Sequence, residues 1–164
     1  MFSTKSNCPV PCDQQPLNEY LSLKKGCLFS WSVSNGKIFV FRLLLFFVII
    51  SILFYIFLDL CNSYSQPHIL FILDLLLSNL FMFFLLIRIY LGWSYVLKRL
   101  LSSAIFYEES GWYDGQVWIK TSDYLMQDKL VGMYQVIPII SRIKYTCFII
   151  VSNLFFIFLL YCTF

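Results

Sequence analysis

The twelve residues Tyr107-Glu108-Glu109-Ser110-Gly111-Trp112-Tyr113-Asp114-Gly115-Gln116-Val117-Trp118 hold three carboxylates, two glycines and four aromatics. Carboxylates gathered on a turn bind divalent cations through oxygen, and aromatics beside them hold planar ligands. Glu108, Glu109, Trp112, Tyr113, Asp114, Gln116 and Trp118 are therefore the candidate binding residues. Their spacing follows no metal-ligand pattern, which leaves a competing reading: a polar turn anchored at a membrane surface by Trp112 and Trp118.

A lesser candidate is Cys8-Pro9-Val10-Pro11-Cys12, two thiols four apart with Cys27 downstream. Such thiols take a soft metal or form a redox pair, but zinc and iron–sulfur sites use two intervening residues and a second pair. Cys8 and Cys12 read more simply as ordinary thiols in an extended arm, and Cys147 and Cys162 as small apolar packing groups. His68 is the single histidine, so the chain has neither a histidine pair for metal nor a Ser/His/Asp arrangement. A phosphate-cradling glycine loop is also missing. A general base would have to be a carboxylate or a tyrosine; catalytic residues and cofactor stay unassigned, and the reading leans away from an enzyme.

The third group lies inside long apolar runs. Asp74 sits five positions into one of them, about 7 Å along a helix. A carboxylate at that depth is expected to be paired, protonated or beside a water-filled gap. Arg42 lies toward the opposite face, Asp59 would repel, and His68 is near the right depth. Ser51, Asn79 and Asn153 fall near mid-depth, one in each run, where hydrogen bonds between helices are the plain explanation.

The elements that position these groups follow from the apolar runs Ile38–Leu60, Ile69–Leu91 and Tyr145–Phe164, each near the ~20 residues that cross a bilayer as a helix. All twelve Lys and Arg fall at one end of these runs: Lys5, Lys24, Lys25, Lys37 and Arg42, then Arg88, Lys98, Arg99, Lys120, Lys129, Arg142 and Lys144. Cations stay on the side of synthesis, so the N-terminus is expected inside and the C-terminus outside. The expected fold is a mainly α integral membrane protein of three transmembrane helices, with a mixed amphipathic-helix and short-hairpin region between the second and third. Its parts are a polar arm (1–37), helix one (38–60), helix two (69–91), an inner loop (92–144) and helix three (145–164).

Composition agrees: 60% hydrophobic, 20% aromatic and 13% charged residues depart from the soluble norm. A net charge of +3 on one face suits membrane lipids and makes no case for nucleic acid. Ala104 is the sole alanine beside eighteen phenylalanines, a bias expected of an A- and T-rich genome. Met1–Gly26 lacks a secretory core and an Arg- and Ser-rich transit stretch, so a protein working in an organelle is expected to be made there.

Along the arm, Pro9, Pro11 and Pro16 predict extended chain, and Asn18 predicts a cap for a short helix through Lys25, stopped by Gly26. Leu28, Phe29 and Trp31 suit an interfacial segment. Val96, Leu97, Leu100, Leu101 and Ala104 keep helical spacing, which extends the second helix over Gly92–Glu108. Asp114-Gly115 predicts a tight turn and Val117-Trp118-Ile119 a strand. Thr121 or Ser122 would cap a helix over Asp123–Val136, which Pro138 ends or kinks.

Several segments together carry a resemblance. They are Cys8-Pro9-Val10-Pro11, Gln14-Gln15-Pro16, Asn18-Glu19-Tyr20 and Phe29-Ser30-Trp31; then Tyr90-Leu91-Gly92-Trp93-Ser94-Tyr95-Val96, Arg99-Leu100-Leu101 and the Tyr107–Trp118 block; then Asp128-Lys129-Leu130, Tyr134-Gln135-Val136 and Pro138. The chain resembles the hypothetical chloroplast reading frame thirty-six family, also called conserved in the green lineage and diatoms. The first two runs match it in hydrophobicity alone, and Cys12 departs from its pattern. The resemblance implies a plastid (chloroplast) membrane, thylakoid or inner envelope, with the arm and the 92–144 loop in the stroma; plastid encoding would account for the missing transit peptide. It supplies no reaction. The expectation is a non-enzymatic binding, assembly or acclimation factor of the photosynthetic membrane, its cap meeting a thylakoid or envelope protein complex or a pigment. The alternatives are a metal-dependent enzyme or redox factor for a lipid-soluble isoprenoid or pigment, built on Glu108, Glu109 and Asp114, and a small transporter using Asp74.

Overall fold

The structure, a computed structural model, describes residues 10–61, 67–108 and 115–163. Three helices are long and apolar enough to cross a membrane. The chain passes through a 3-10 turn (Cys12–Gln14), α1 (Pro16–Lys25), α2 (Cys27–Val33), α3 (Gly36–Cys61), α4 (Pro67–Leu101), β1 (Ala104–Glu108), β2 (Gly115–Ile119), α5 (Ser122–Val131), a π segment (Gly132–Val136) and α6 (Ile137–Thr163). α4 is the central helix and packs against both α3 and α6.

The first two apolar runs lie within α3 and α4, and the described part of the third lies within α6, the form in which a segment crossing lipid satisfies its backbone internally. No residue in the most apolar window of α3 is fully buried, although Leu43, Phe46 and Phe47 are half-buried against α4, whereas a third of the corresponding window in α4 (33%) is buried by its neighbours. Phe41, Phe57, Phe148 and Phe156 are all more than half exposed, a surface that suits hydrocarbon and not water. The 35 residues of α4 span about 52 Å, well beyond the roughly 30 Å of a hydrocarbon core, so α4 has packing surface to spare past its apolar run.

Four local expectations are corrected. Pro16, not Asn18, opens α1: it stands at the first helical position, where its missing N–H costs nothing, after an extended Gln15. Asn18 instead turns its amide back to Cys12 O at 2.8 Å, closing the 3-10 turn where an extended arm was expected. α4 stops at Leu101, and Ala104 begins a strand despite its helical spacing. Ser102 Oγ donates to Arg99 O (2.8 Å) and Ala104 O (3.0 Å), which turns the chain out of the helix. Pro138 does not end its helix, since the helical run continues over the 40 residues Ser122–Tyr161, with the π segment set just before the proline. The strain is absorbed one turn earlier, where Ile137 N–H reaches back five residues to Gly132 O. That wider turn makes room for a proline ring and its absent donor.

A hairpin does form, but its first strand is β1, where helix was expected, and Gly115 is a strand residue opposite Glu108 and not part of a two-residue turn; Ile105 stands opposite Trp118 and Tyr107 opposite Gln116. One face points inward, where Ile105 and Tyr107 pack with Val10 and Trp118. The core at the cationic end of the helices unites Tyr20, Trp93, Val96, Leu100, Val136 and Ile143. Deeper in the bundle, Phe39, Met82, Leu86 and Ile150 form a second cluster.

Candidate functional site

The head (α1 and α2) docks on the part of α4 that projects beyond its apolar run. Tyr20 and Leu23 lie one turn apart on α1 and face the same core. Gly92 is the docking point on α4: a Cβ there would stand 2.5 Å from the ring of Phe29, so only glycine lets α2 approach this closely. The Trp93 ring lies in the resulting pocket, 5.9 Å from Tyr20 and 6.1 Å from Phe29. Its Nε1–H donates to Ser32 Oγ at 2.7 Å, both groups buried.

Polar contacts close the junction across long stretches of sequence. Tyr20 O–H donates to Gln135 Oε1 at 2.6 Å, joining α1 to the π segment. Arg99 pairs with Glu19 and donates to Gln14 O at 3.0 Å. Burial pushes the Glu19 carboxyl above its ordinary 4.5, against the lowering pull of Arg99; its Oε2 is buried with no partner among the described residues. Arg142 donates to Ser34 O at 2.7 Å and holds the end of α2 to α6.

A buried cation organises the other side. The Lys120 ammonium, fully enclosed, lies 2.6 Å from Asp128 Oδ2. It also donates to Arg99 O (3.0 Å) and Leu100 O (3.2 Å), two carbonyls of the last turn of α4. A positive charge at a helix C-terminus meets both the orphan carbonyls and the dipole. Burial raises the Asp128 carboxyl above its ordinary 3.8, while the Lys120 hydrogen bond and charge lower it. One side chain thus ties α4, the end of β2 and α5 together.

The sequence candidates distribute unevenly over this frame. Trp118 is half-buried, packed against the cluster of Val10, Ile105 and Tyr107 with its ring 5.7 Å from that of Tyr124. Gln116 accepts the Tyr107 hydroxyl at 2.7 Å. Glu108 is described in its backbone alone, opposite Gly115. Glu109, Trp112, Tyr113 and Asp114 at the hairpin tip lie outside the described residues, as does Cys8; Cys12 is exposed. Among the described residues, no three His, Cys, Asp or Glu side chains converge on a point.

Sequence reasoning missed the outer face of the hairpin. Phe106 (72% exposed), Val117 (54%) and Ile119 (74%) line it, apolar side chains on the half of the sheet away from the cap core. A strict alternation through Ala104–Glu108 and Gly115–Ile119 would have signalled two faces, both apolar. Beside it opens a groove of about 650 Å³ lined by Gln14, Tyr95, Lys98, Arg99, Phe106 and Tyr107 among others. The arrangement offers apolar contact flanked by cations.

Within the bundle, Asp74 is buried and accepts hydrogen bonds from Ser51 Oγ (2.7 Å) and Ser78 Oγ (3.3 Å). Asn79 donates to Leu75 O (2.8 Å) and accepts from Asn153 Nδ2 (3.2 Å). These bonds join α3 to α4 and α4 to α6, the role expected of mid-depth polar groups. Asp74 is neither turned out to lipid nor toward the headgroups. Both its oxygens are taken by serines, which reads as a tie between helices.

The family profile described as CGLD27-like, conserved in the green lineage and diatoms 27, matches residues 8–149. The ycf36 protein of Porphyra purpurea is 44% identical over 146 residues, 86% of each chain. That of Cyanophora paradoxa is 44% identical over 154 residues, 91% of this chain and 94% of the relative. An Arabidopsis thaliana protein whose name reads conserved in the green lineage and diatoms 27, chloroplastic, is 44% identical over 147 residues, 88% of this chain but 45% of its own length. No solved structure matches. The segments that make up the junction, from Glu19 and Tyr20 through Trp93 and Arg99 to Asp128 and Gln135, all fall within the matched region, and the chain belongs to the CGLD27-like family.

Proposed function

We propose that this chain is a non-catalytic docking factor of a plastid membrane, thylakoid or inner envelope, whose stromal cap presents the hairpin to a protein partner. The plastid location rests on the chloroplastic relative, and the stromal side on the one-sided cations. One observation carries the reading. The charged and hydroxyl groups at the head–helix junction are largely engaged with one another, while Phe106, Val117 and Ile119 stand exposed on strands whose other face packs on Val10 and whose end is held by Lys120. A rigid apolar patch with a cationic rim is what a docking surface requires. Binding or assembly fits this better than turnover, since apart from Glu19 Oε2 the junction's polar groups already satisfy each other.

A photoreactive amino acid at Phe106 or Ile119, incorporated in the full chain in its native membrane, tests the reading. Both positions are expected to capture the same defined product, and Ile119→Glu is expected to abolish capture at Phe106. The same products from a probe at Leu60, exposed near the C-terminal end of α3, would refute it.

A further inference from the structure

The three apolar runs contain three serines, Ser51, Ser78 and Ser152. The first two turn inward and donate to Asp74. Ser152 faces outward on α6 and has no hydrogen-bond partner among the described residues. Beside it, exposed Asn153 spends one amide N–H on Asn79, and its own carbonyl oxygen has no partner among the described residues. Asn153 lies eight residues from Tyr145 and ten from Thr163, about 12 and 15 Å along the helix, so these groups sit at mid-depth. An unsatisfied hydroxyl and carbonyl in hydrocarbon are costly unless something covers them. They lie in a shallow groove of about 390 Å³, bounded by Phe148 and Phe156 and floored by Ile149, Ser152 and Asn153.

We infer that this groove is a self-association surface, occupied by α6 of a second copy of the chain. The inference rests on α6 crossing the membrane and not on the docking role of the hairpin. Copies inserted in one membrane share one orientation, so the two-fold axis relating a pair runs perpendicular to the bilayer. Two α6 helices then meet in parallel, and residues at the crossing face their own equivalents at equal depth. The Ser152 hydroxyl donates to the Asn153 carbonyl of the second copy, and symmetry repeats the bond. An unrelated helix would need a matching donor and acceptor at that depth; a second copy supplies both. Ser152 is also the one small side chain between Phe148 and Phe156, which lets the backbones approach.

The test uses the full chain, labelled with donor and acceptor dyes and reconstituted in phosphatidylcholine vesicles over a range of protein-to-lipid ratios. Energy transfer is expected to rise with protein density, and Ser152→Leu is expected to weaken association at least about threefold, the effect of losing an interhelical hydrogen bond. Ser152→Leu breaks no internal bond, so it separates pairing from folding; Asn153→Leu loses the Asn79 contact as well. Under mild oxidation Ser152→Cys should give a disulfide mapped to position 152 in both copies, and Ile150→Cys, on the buried face, should not. Absent energy transfer, transfer unchanged in Ser152→Leu, or equal cross-linking at both positions overturns the inference. So does a monomeric chain whose groove holds a hydroxylated isoprenoid that Ser152→Leu releases.

Discussion

Lys120→Met removes the ammonium that joins α4 to α5 and replaces it with an apolar side chain of similar length. Asp128 is then left with 9% of its side chain exposed and no cation, and Arg99 O and Leu100 O lose a donor. Breaking a buried pair from one side costs about 3–5 kcal/mol. That is a large part of the roughly 5–15 kcal/mol that holds an ordinary domain. The spans remain in lipid, so the loss falls on the cap, and hydrogen exchange at α5 amides reads it directly. At about 1.4 kcal/mol per factor of ten, exchange should quicken by roughly a hundredfold to a few thousandfold. Asp128→Asn keeps an acceptor for Lys120 and should cost less. The double variant Lys120→Met/Asp128→Leu should regain most of the loss, because an apolar pair of fitting volume replaces a buried ionic one at little net cost. Exchange less than tenfold faster in Lys120→Met, or a double variant as fast as the single, would refute the reasoning.

Gly92→Ala should push the Phe29 ring aside and loosen α2, raising proteolytic cleavage at the nearby Lys24 and Lys25 in vesicles while α3 stays resistant. Trp93→Phe leaves buried Ser32 Oγ without its donor and should cost about 1–3 kcal/mol in cap stability, read by the same exchange experiment. Folding raises the Asp128 pKa above 3.8, so the folded chain holds more protons than the unfolded chain between 3.8 and that raised value. The contribution of Asp128 to stability therefore falls as pH rises through this window. Acidification through this window should slow α5 opening in the native chain relative to Asp128→Asn; the opposite slope contradicts it. Ser51→Ala removes the α3 bond to Asp74 and should weaken α3–α4 association by about 0.6–2 kcal/mol, measured by steric-trap or denaturant unfolding in bicelles.

The long apolar helices could be read from sequence because crossing lipid imposes one demand, an apolar stretch of sufficient length, and Val117-Trp118-Ile119 marked the second strand equally locally, whereas the first strand was hidden behind helical spacing. What local pattern could not supply were the ties. Glu19 meets Arg99, Tyr20 meets Gln135, and Ser32 meets Trp93 from the far end of the chain, and no periodicity relates them. Lys120 read as one more inner-face cation, although its burial makes it the bolt of the cap. Ala104 kept helical spacing, but Ser102 bonding to Arg99 O and Ala104 O turned the backbone first. Pro138 read as an end or a kink, and which of the two could not be told because a π turn leaves no mark in residue types. The Asp74–Ser78 pair was visible as an i, i+4 spacing, whereas its Ser51 partner came from another helix.

The most direct test of the whole scheme uses the native thiols. Cys12 and Cys27 on the head and Cys61 at the far end of α3 are all exposed. In sealed vesicles with the stromal face outward, a membrane-impermeant maleimide should label Cys12 and Cys27 and spare Cys61 until the membrane is opened. Labelling of Cys12 and Cys61 from the same side would contradict a chain whose head, hairpin and α5 share one face of the membrane.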